Sequence, residues 1–252
     1  MIRIILSFSF LLMLQHILAQ DNYEIQVYPS EVVEKGKTMV ELHSNYTPIG
    51  MPASEGVRPT QHSFHETLEI THGFSSWFET GFYLFTNIQP NNGWQWVGDH
   101  IRPRFCIPPE WKWPVGLSLS TEVGYQRREY SADTWTLEVR PIIDKDTKWI
   151  YLSFNPTLGK SLQGLNAHQG FDFEPNFKVA LHVNKKIDIG GEYYGVTGPI
   201  FNADPPAEQS HALYAVVDLN LSPLWEFNFG VGWGLTKSTD GEVIKMILGR
   251  RF

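Results

Sequence analysis

The 252-residue sequence predicts an all-β fold, a closed antiparallel transmembrane β-barrel of about 12 strands. Three observations predict it: a composition rich in rings and poor in charge, an alternation of apolar and polar residues that recurs to the end of the chain, and connections that are short and long by turns. Aromatic residues make up 14% and charged residues 19%, with 21 Gly and 16 Pro. This mix favours strands over a helical bundle and is too apolar for a disordered chain.

In chain order, residues 1–19 read as a signal peptide: Met1-Ile2-Arg3 is a short basic start, Ile4 to Leu14 an apolar run, and Ala19 a small residue at the cut. A retained membrane helix needs about 18 or more apolar residues, and Gln15 and His16 interrupt this run. Residues 20–36 are expected to form a periplasmic N-terminal lead-in. Residues 23–28 alternate well enough to make a strand, so entry of this segment into the pore is the other fate open to it. Residues 37–252 are expected to form the barrel.

Twelve alternating stretches follow, roughly 37–46, 63–72, 76–87, 96–106, 114–128, 132–143, 148–160, 168–183, 187–197, 208–222, 225–236 and 242–252. Strands of globular sandwiches run about five or six residues, whereas tilted strands crossing a bilayer need about 9–11. These are of the longer kind. Short turns at 73–75, 108–112, 144–147, 184–186 and 222–224 interleave with longer polar links at 47–62, 88–95, 161–167 and 198–207, the rhythm of a barrel with one short rim and one long one. Links near 129–131 and 237–241 keep the rule imperfectly.

One face of each strand is apolar: Leu117, Leu119 and Val123 against Ser118, Ser120 and Glu122; Trp135, Leu137 and Val139 against Thr136, Glu138 and Arg140; Phe227, Phe229, Val231 and Trp233 against Asn228, Gly230 and Gly232. In a soluble sandwich that face is the core, and in a membrane barrel it is the outside. Trp77, Trp113, Trp149 and Trp225, each just after a short turn, suit an interfacial girdle, although only Trp113 and Trp225 share the apolar parity. Pro103, Pro141, Pro156 and Pro175 fall at apolar-parity positions inside strands, awkward for either reading because each removes a ladder hydrogen bond.

The last strand, with Ile244, Met246 and Leu248 on one face and ending at Phe252, resembles the assembly signal of Gram-negative outer-membrane β-barrels. Residues 68–83 (LEITHGFSSWFETGFY) and 218–236 (DLNLSPLWEFNFGVGWGLT) are similar to hairpins of transporter-like barrels such as the phenol-degradation-pathway outer-membrane group. Arg250 departs from the pattern, since such barrels usually carry an aromatic residue third from the end. The resemblance implies passage or binding of small molecules across the outer membrane, recognition of the C-terminal strand by the barrel-assembly machinery, and no catalytic residues.

With the apolar face toward outer-membrane lipid, the lumen receives Glu41, His43, His65, Glu69, Glu79, Arg102, Arg104, Glu122, Glu138, Arg140, Glu174, Lys178, Glu192, Asp218, Lys245 and Arg251. A lipid-facing Arg or Lys at mid-membrane costs about 2–4 kcal/mol, so this shared parity marks a wet or mutually paired side. On one reading Arg102, Arg104, Arg140 and Lys178 face Glu122, Glu138 and Glu174 across a narrow pore, setting up a transverse field for a small-molecule solute. On the other the charges form a salt-bridged, closed lumen.

His43, His62, His65 and His72 cluster early beside Glu66 and Glu69, but match no zinc spacing, so they read as structural or pH-titrating groups; no metal and no cofactor is expected. A lipid hydrolase is the rival class, and it needs Ser and His on one face. His43 and Ser44 are adjacent and point oppositely, Ser63 lies between His62 and Phe64, and no G-x-S-x-G elbow is present. A binding barrel would use loops 45–61 and 201–209. The net charge of −7, or −8 without Arg3, makes nucleic acid a poor partner, and the single Cys106 excludes an internal disulfide.

Overall fold

The computed structural model describes residues 22–54 and 56–252; the expected signal peptide lies outside the described residues. The described residues form twelve strands: β1 (Thr38–Ile49), β2 (Ser63–Ser75), β3 (Phe78–Gln89), β4 (Gly93–Cys106), β5 (Gly116–Gln126), β6 (Asp133–Asp146), β7 (Ile150–Gly164), β8 (Asp172–Asn184), β9 (Ile187–Val196), β10 (Ser210–Ser222), β11 (Trp225–Gly234) and β12 (Glu242–Arg251). Each pairs antiparallel with its neighbours in sequence, and β1 pairs with β12 to close the barrel. Closure leaves no edge whose backbone groups would face lipid unpaired. No helix of the described residues is long and apolar enough to cross a membrane.

Alternation places the apolar parity outside. Leu68, Ile70, Phe82, Ile101, Leu119, Phe177, Leu213 and Leu248 are exposed, while Glu41, Glu69, Arg102, Glu122 and Lys245 are buried. A soluble sandwich with Leu119, Val139 and Leu219 sealed between sheets is therefore not what forms. All nine tryptophans are exposed and lie at the two ends of the barrel. Trp77, Trp111, Trp113, Trp149 and Trp225 ring the end that holds the start of β1 and the end of β12; Trp94, Trp96, Trp135 and Trp233 ring the other. The parity problem of the first girdle disappears, because Trp77, Trp113 and Trp149 sit in the turns, where strand alternation does not apply.

The end holding the chain termini carries two-residue connections at 76–77, 185–186 and 223–224 and three residues at 147–149; its fifth connection, 107–115, is longer and contains a single 3-10 turn, Pro109–Trp111. The opposite end carries loops 50–62, 127–132, 165–171, 197–209 and 235–241, together with a three-residue link, 90–92, that the sequence suggests is longer. By the usual polarity of such barrels the first rim is periplasmic and the second extracellular.

The four in-strand prolines lie where a ladder is interrupted. Pairing of β6 with β7 stops between Val139 and Ile143, the stretch that holds Pro141 and Pro156; pairing of β4 with β5 skips from Ile101 to Arg104 past Pro103; and Pro175 lies just beyond the first β8–β9 pair, Asn176 with Tyr194. The lost donors thus face gaps.

Residues 22–36 do not form a periplasmic lead-in. They run extended through the barrel from the periplasmic rim to the extracellular mouth, with Tyr23, Ile25, Val27 and Tyr28 buried. They are no thirteenth strand of the wall, since their hydrogen bonds go largely to side chains. The segment starts its climb against Gly73 of β2, which receives the Gly36 N–H at 2.7 Å. A Cβ at Gly73 would lie 2.1 Å from the Val33 carbonyl oxygen, so only glycine admits the chain there.

Two outcomes are expected from this arrangement. Leu68→Arg, in the middle of β2 on the outer face, should destabilise the barrel by about 2–4 kcal/mol, and Trp225→Arg at the rim by about 0–1 kcal/mol, read as urea unfolding in lipid vesicles. In detergent the unboiled protein should migrate differently from the boiled protein on a denaturing gel.

Candidate functional site: the barrel lumen

The inner wall is built by every second residue of each strand, and its charges lie on adjacent strands at matched heights. Register sets Glu69 of β2 opposite Glu41 of β1, Glu79 of β3 opposite Arg104 of β4, and Lys178 of β8 opposite Glu192 of β9. Some partners are therefore cross-strand neighbours on the wall, while others span the interior, as Lys245 of β12 does in reaching Glu192 of β9.

Three ion-pair groups result. In the first, Arg102 reaches Glu69 at 2.6 Å and Glu79 at 3.2 Å, Arg104 reaches Glu79 at 2.6 Å, and Arg102 also donates to the Tyr83 hydroxyl. In the second, Glu192 is held between Lys245 and Lys178, and Lys178 continues to Asp218 at 2.8 Å. In the third, Arg140 donates to Glu138 at 2.5 Å and lies 3.8 Å from Glu24 of the threaded segment. Glu122 pairs with His100 at 2.6 Å. Enclosed charges are tolerable only when paired in this way, because removing one partner strands the other without water.

Of the expected facing of Arg102, Arg104, Arg140 and Lys178 toward Glu122, Glu138 and Glu174, the contact of Arg140 with Glu138 forms a close ion pair. The other cations take Glu69, Glu79, Glu192 and Asp218. Glu41, His43, His65, Glu69, Glu79, Arg102, Arg104, Glu122, Arg140, Glu192 and Lys245 are buried inside, and Glu138, Glu174, Lys178 and Asp218 line the interior less deeply. Arg251 is different. It lies at the periplasmic rim with its side chain 42% exposed and pairs with Glu226 at 2.5 Å. Nearby, Arg250 sits over the rings of Trp225 and Phe252 at 5.1 and 4.8 Å, so the residue that breaks the terminal pattern is itself held by aromatic faces.

The histidines do not converge. His43 and His65 are buried inside, His62 lies at the extracellular end near the Tyr46 hydroxyl, and His72 faces outward, 2.9 Å from the Thr38 hydroxyl. Ser44 points out to Glu66, at 2.6 Å, while His43 points in, so these neighbours make no nucleophile–base pair.

Residues that the parity argument did not supply come from the threaded segment and from neutral wall positions. Tyr28 is at its centre: the guanidiniums of Arg140, Arg102 and Arg104 lie 4.7, 5.0 and 5.9 Å from its ring, and its hydroxyl contacts Glu24 and Tyr83. Its backbone N–H donates to Asn155 at 2.7 Å and its carbonyl accepts from Ser153 at 2.9 Å. Lys245 donates to the Ile25 carbonyl at 3.0 Å, Thr67 to the Tyr23 carbonyl at 2.6 Å, Arg104 to the Pro29 and Glu31 carbonyls, and Ser30 to Asp144. Ile25 and Val27 pack with Tyr194, Ala212, Tyr214, Val216 and Val243, and Tyr23 with Tyr83, Phe85 and Val97. The wall asparagines, serines and threonines share the inward parity, which was the available signal, but an uncharged polar residue stands out little in a sequence.

At the extracellular mouth Asp240 accepts from Asn22 at 2.5 Å, from the Met51 N–H at 2.8 Å and from Thr60, tying two loops to the end of the segment. Burial pushes its carboxyl up, against these donors. Below the mouth is a cavity of about 270 Å³ bordered by Glu24, Arg58, Glu138, Arg140 and Glu174. A second, of about 210 Å³, lies toward the periplasm beside Lys178, Asp218, Glu226 and Lys245. Gln26 of the threaded segment borders both.

No family model matches the chain, and no curated protein matches it in sequence. Solved structures do match in fold. The KdgM porin aligns over 85% of this chain and 99% of its own with a TM-score of 0.55 at 10% identity. An outer-membrane channel from Pseudomonas putida F1 aligns over 91% and 100% with a TM-score of 0.58 at 9% identity. The NanC porin aligns over 83% and 97% with a TM-score of 0.53 at 11% identity. The chain has the fold of these outer-membrane barrels.

Replacing Arg102 by Met leaves Glu69 and Glu79 enclosed with fewer partners and should destabilise the barrel by about 3–5 kcal/mol. The double change Arg102→Met with Glu69→Gln should recover part of that loss. Urea unfolding followed by tryptophan fluorescence checks both.

Proposed function

We propose that the protein is a passive outer-membrane channel or transporter for small molecules, its bore narrowed by its own residues 22–36. The observation that carries this reading is the pair of cavities, each bordered by charged side chains, that lie toward opposite ends of the barrel with Gln26 of the threaded segment bordering both. Lipid would surround the apolar outer face between the two tryptophan rings, and the strand ending at Phe252 would be what the barrel-assembly machinery engages. The narrower kinship with the phenol-degradation-pathway group is supported by the hairpins at residues 68–83 and 218–236.

Of the lumen residues, Glu138, Arg140 and Glu174 border the outer cavity, and Lys178, Asp218 and Lys245 the inner one, so these would meet a solute first. Glu24, Glu41, Glu69, Glu79, Glu122, Glu138, Glu174, Glu192 and Asp218 outnumber the enclosed Arg102, Arg104, Arg140, Lys178 and Lys245. An acidic interior favours cations over anions. The hydrogen bonds holding the segment to Asn155, Thr67 and Lys245 favour a second reading, a closed structural barrel.

In planar bilayers the wild type is expected to give small, discrete, cation-selective conductance, and removal of residues 22–34 to raise it several-fold. Silence from both forms would support the structural reading. Glu138→Gln with Glu174→Gln should weaken the preference for cations, measured as a shift in reversal potential under a salt gradient.

A further inference from the structure

We propose that Glu41, His43 and Glu69 form a binding site for a divalent transition-metal ion of the Zn²⁺ type in the periplasmic part of the lumen. One ligand atom from each residue can be chosen so that all three lie within 4.8 Å of one another, and all three side chains are buried. The residues reach one point because Glu41 and His43 are successive inward positions of β1 and Glu69 is the cross-strand partner of Glu41 on β2.

An independent observation points to a ligand. His43 is 0% exposed, yet neither ring nitrogen has a hydrogen-bond partner, and Oε2 of Glu69 has none either. These two groups face each other at ion-pair distance, Nε2 of His43 lying 3.4 Å from Oε2 of Glu69 without hydrogen-bond alignment, and Nδ1 of His43 has no hydrogen-bond partner on its other side. A tetrahedral ion with bonds of about 2.1 Å holds its ligands roughly 3.4 Å apart. The separation already present is the one such an ion imposes.

The surroundings fit. Arg102 and Thr71 occupy Oε1 of Glu69 at 2.6 and 2.7 Å, fixing the carboxylate and leaving Oε2 for the ion, as outer-shell partners do at metal centres. Glu226 of β11 approaches Glu41 across Gly249 of β12, where a Cβ would stand 2.8 Å from the Cγ of Glu226 and 3.1 Å from that of Glu41. Glycine there lets the two acids close in. Two carboxylates, Glu41 and Glu69, and the His43 imidazole, with Arg102 as the neighbouring cation, form a donor set for a borderline dication, imidazole and carboxylate being ligands that Zn²⁺ accepts, while Glu226, paired with Arg251, adds negative charge nearby. The inner cavity lies nearby: Glu226 and Ile247 line it, Ile247 being the cross-strand partner of His43.

The site stands on these side chains alone and does not depend on the channel reading. Full-length protein in detergent, stripped by chelator and dialysed against Zn²⁺ alone, is expected to retain about one ion per chain, and Co²⁺ in its place to give the visible absorption of a histidine-containing low-coordinate site. His43→Ala and Glu41→Gln should each weaken binding at least ten-fold, while His65→Ala, a buried histidine outside the cluster, leaves it unchanged. The gel shift on boiling identifies variants that still form the barrel. Wild type that binds no stoichiometric Zn²⁺, or a folded His43→Ala that binds as wild type does, would overturn the proposal and leave His43 and Glu69 as a plain buried ion pair.

Discussion

Enclosed charge needs a partner, and this requirement organises the inside of the barrel. The apolar outer parity leaves the ionisable side chains no place but the lumen, where Arg102, Lys245 and Glu192 are cut off from bulk water. Each is held by an opposite charge on another strand, adjacent for Arg102 with Glu79 and for Glu192 with Lys178 but three strands away for Lys245 with Glu192, and the pairing is completed by the threaded segment. Arg140 has both Glu138 of the wall and Glu24 of the segment, and Tyr28 offers its ring to three guanidiniums. The wall and the segment are thus one electrostatic unit: without residues 22–36, Lys245 and Arg104 lose carbonyl acceptors and Thr67 loses its partner.

The same segment gives the lumen a second kind of interior. Ile25 and Val27 form an apolar cluster with Tyr194, Tyr214 and Val216 inside a barrel whose outside is also apolar. The protein therefore has a small core of ordinary water-excluding kind beside its lipid-facing surface. That core fills much of the bore near its middle and leaves the two cavities as separate vestibules.

The twelve strands were legible because a period of two maintained over 10 to 15 residues has one structural meaning, and closure followed from the absence of any edge that lipid could tolerate. The inward parity of Glu69, Arg102 and Lys245 was legible for the same reason. Which acid met which base was not, because partners depend on register, and register depends on bulges such as that between Phe85 and Thr86, which composition does not mark. The fate of residues 22–36 was hidden for a different reason. Tyr23 to Tyr28 alternate as a wall strand does, but their partners, among them Thr67, Asn155 and Lys245, are distant in sequence and are side chains rather than a ladder. The in-strand prolines, by contrast, carried information that only the ladder gaps at Pro103, Pro141 and Pro156 explain.

The seam between β1 and β12 determines the order in which the molecule can be assembled. Ile25 hands its carbonyl to Lys245, a residue of the very last strand, and Asn22 meets Asp240 in the loop just before it. Residues 22–36 must already be lying in the half-formed trough when the final hairpin swings across, or they must be fed up through a finished tube. In the first case the final strand acts as a lid nailed over a cable already laid. The last hairpin then does two jobs at once, sealing the wall and locking residues 22–36 in place.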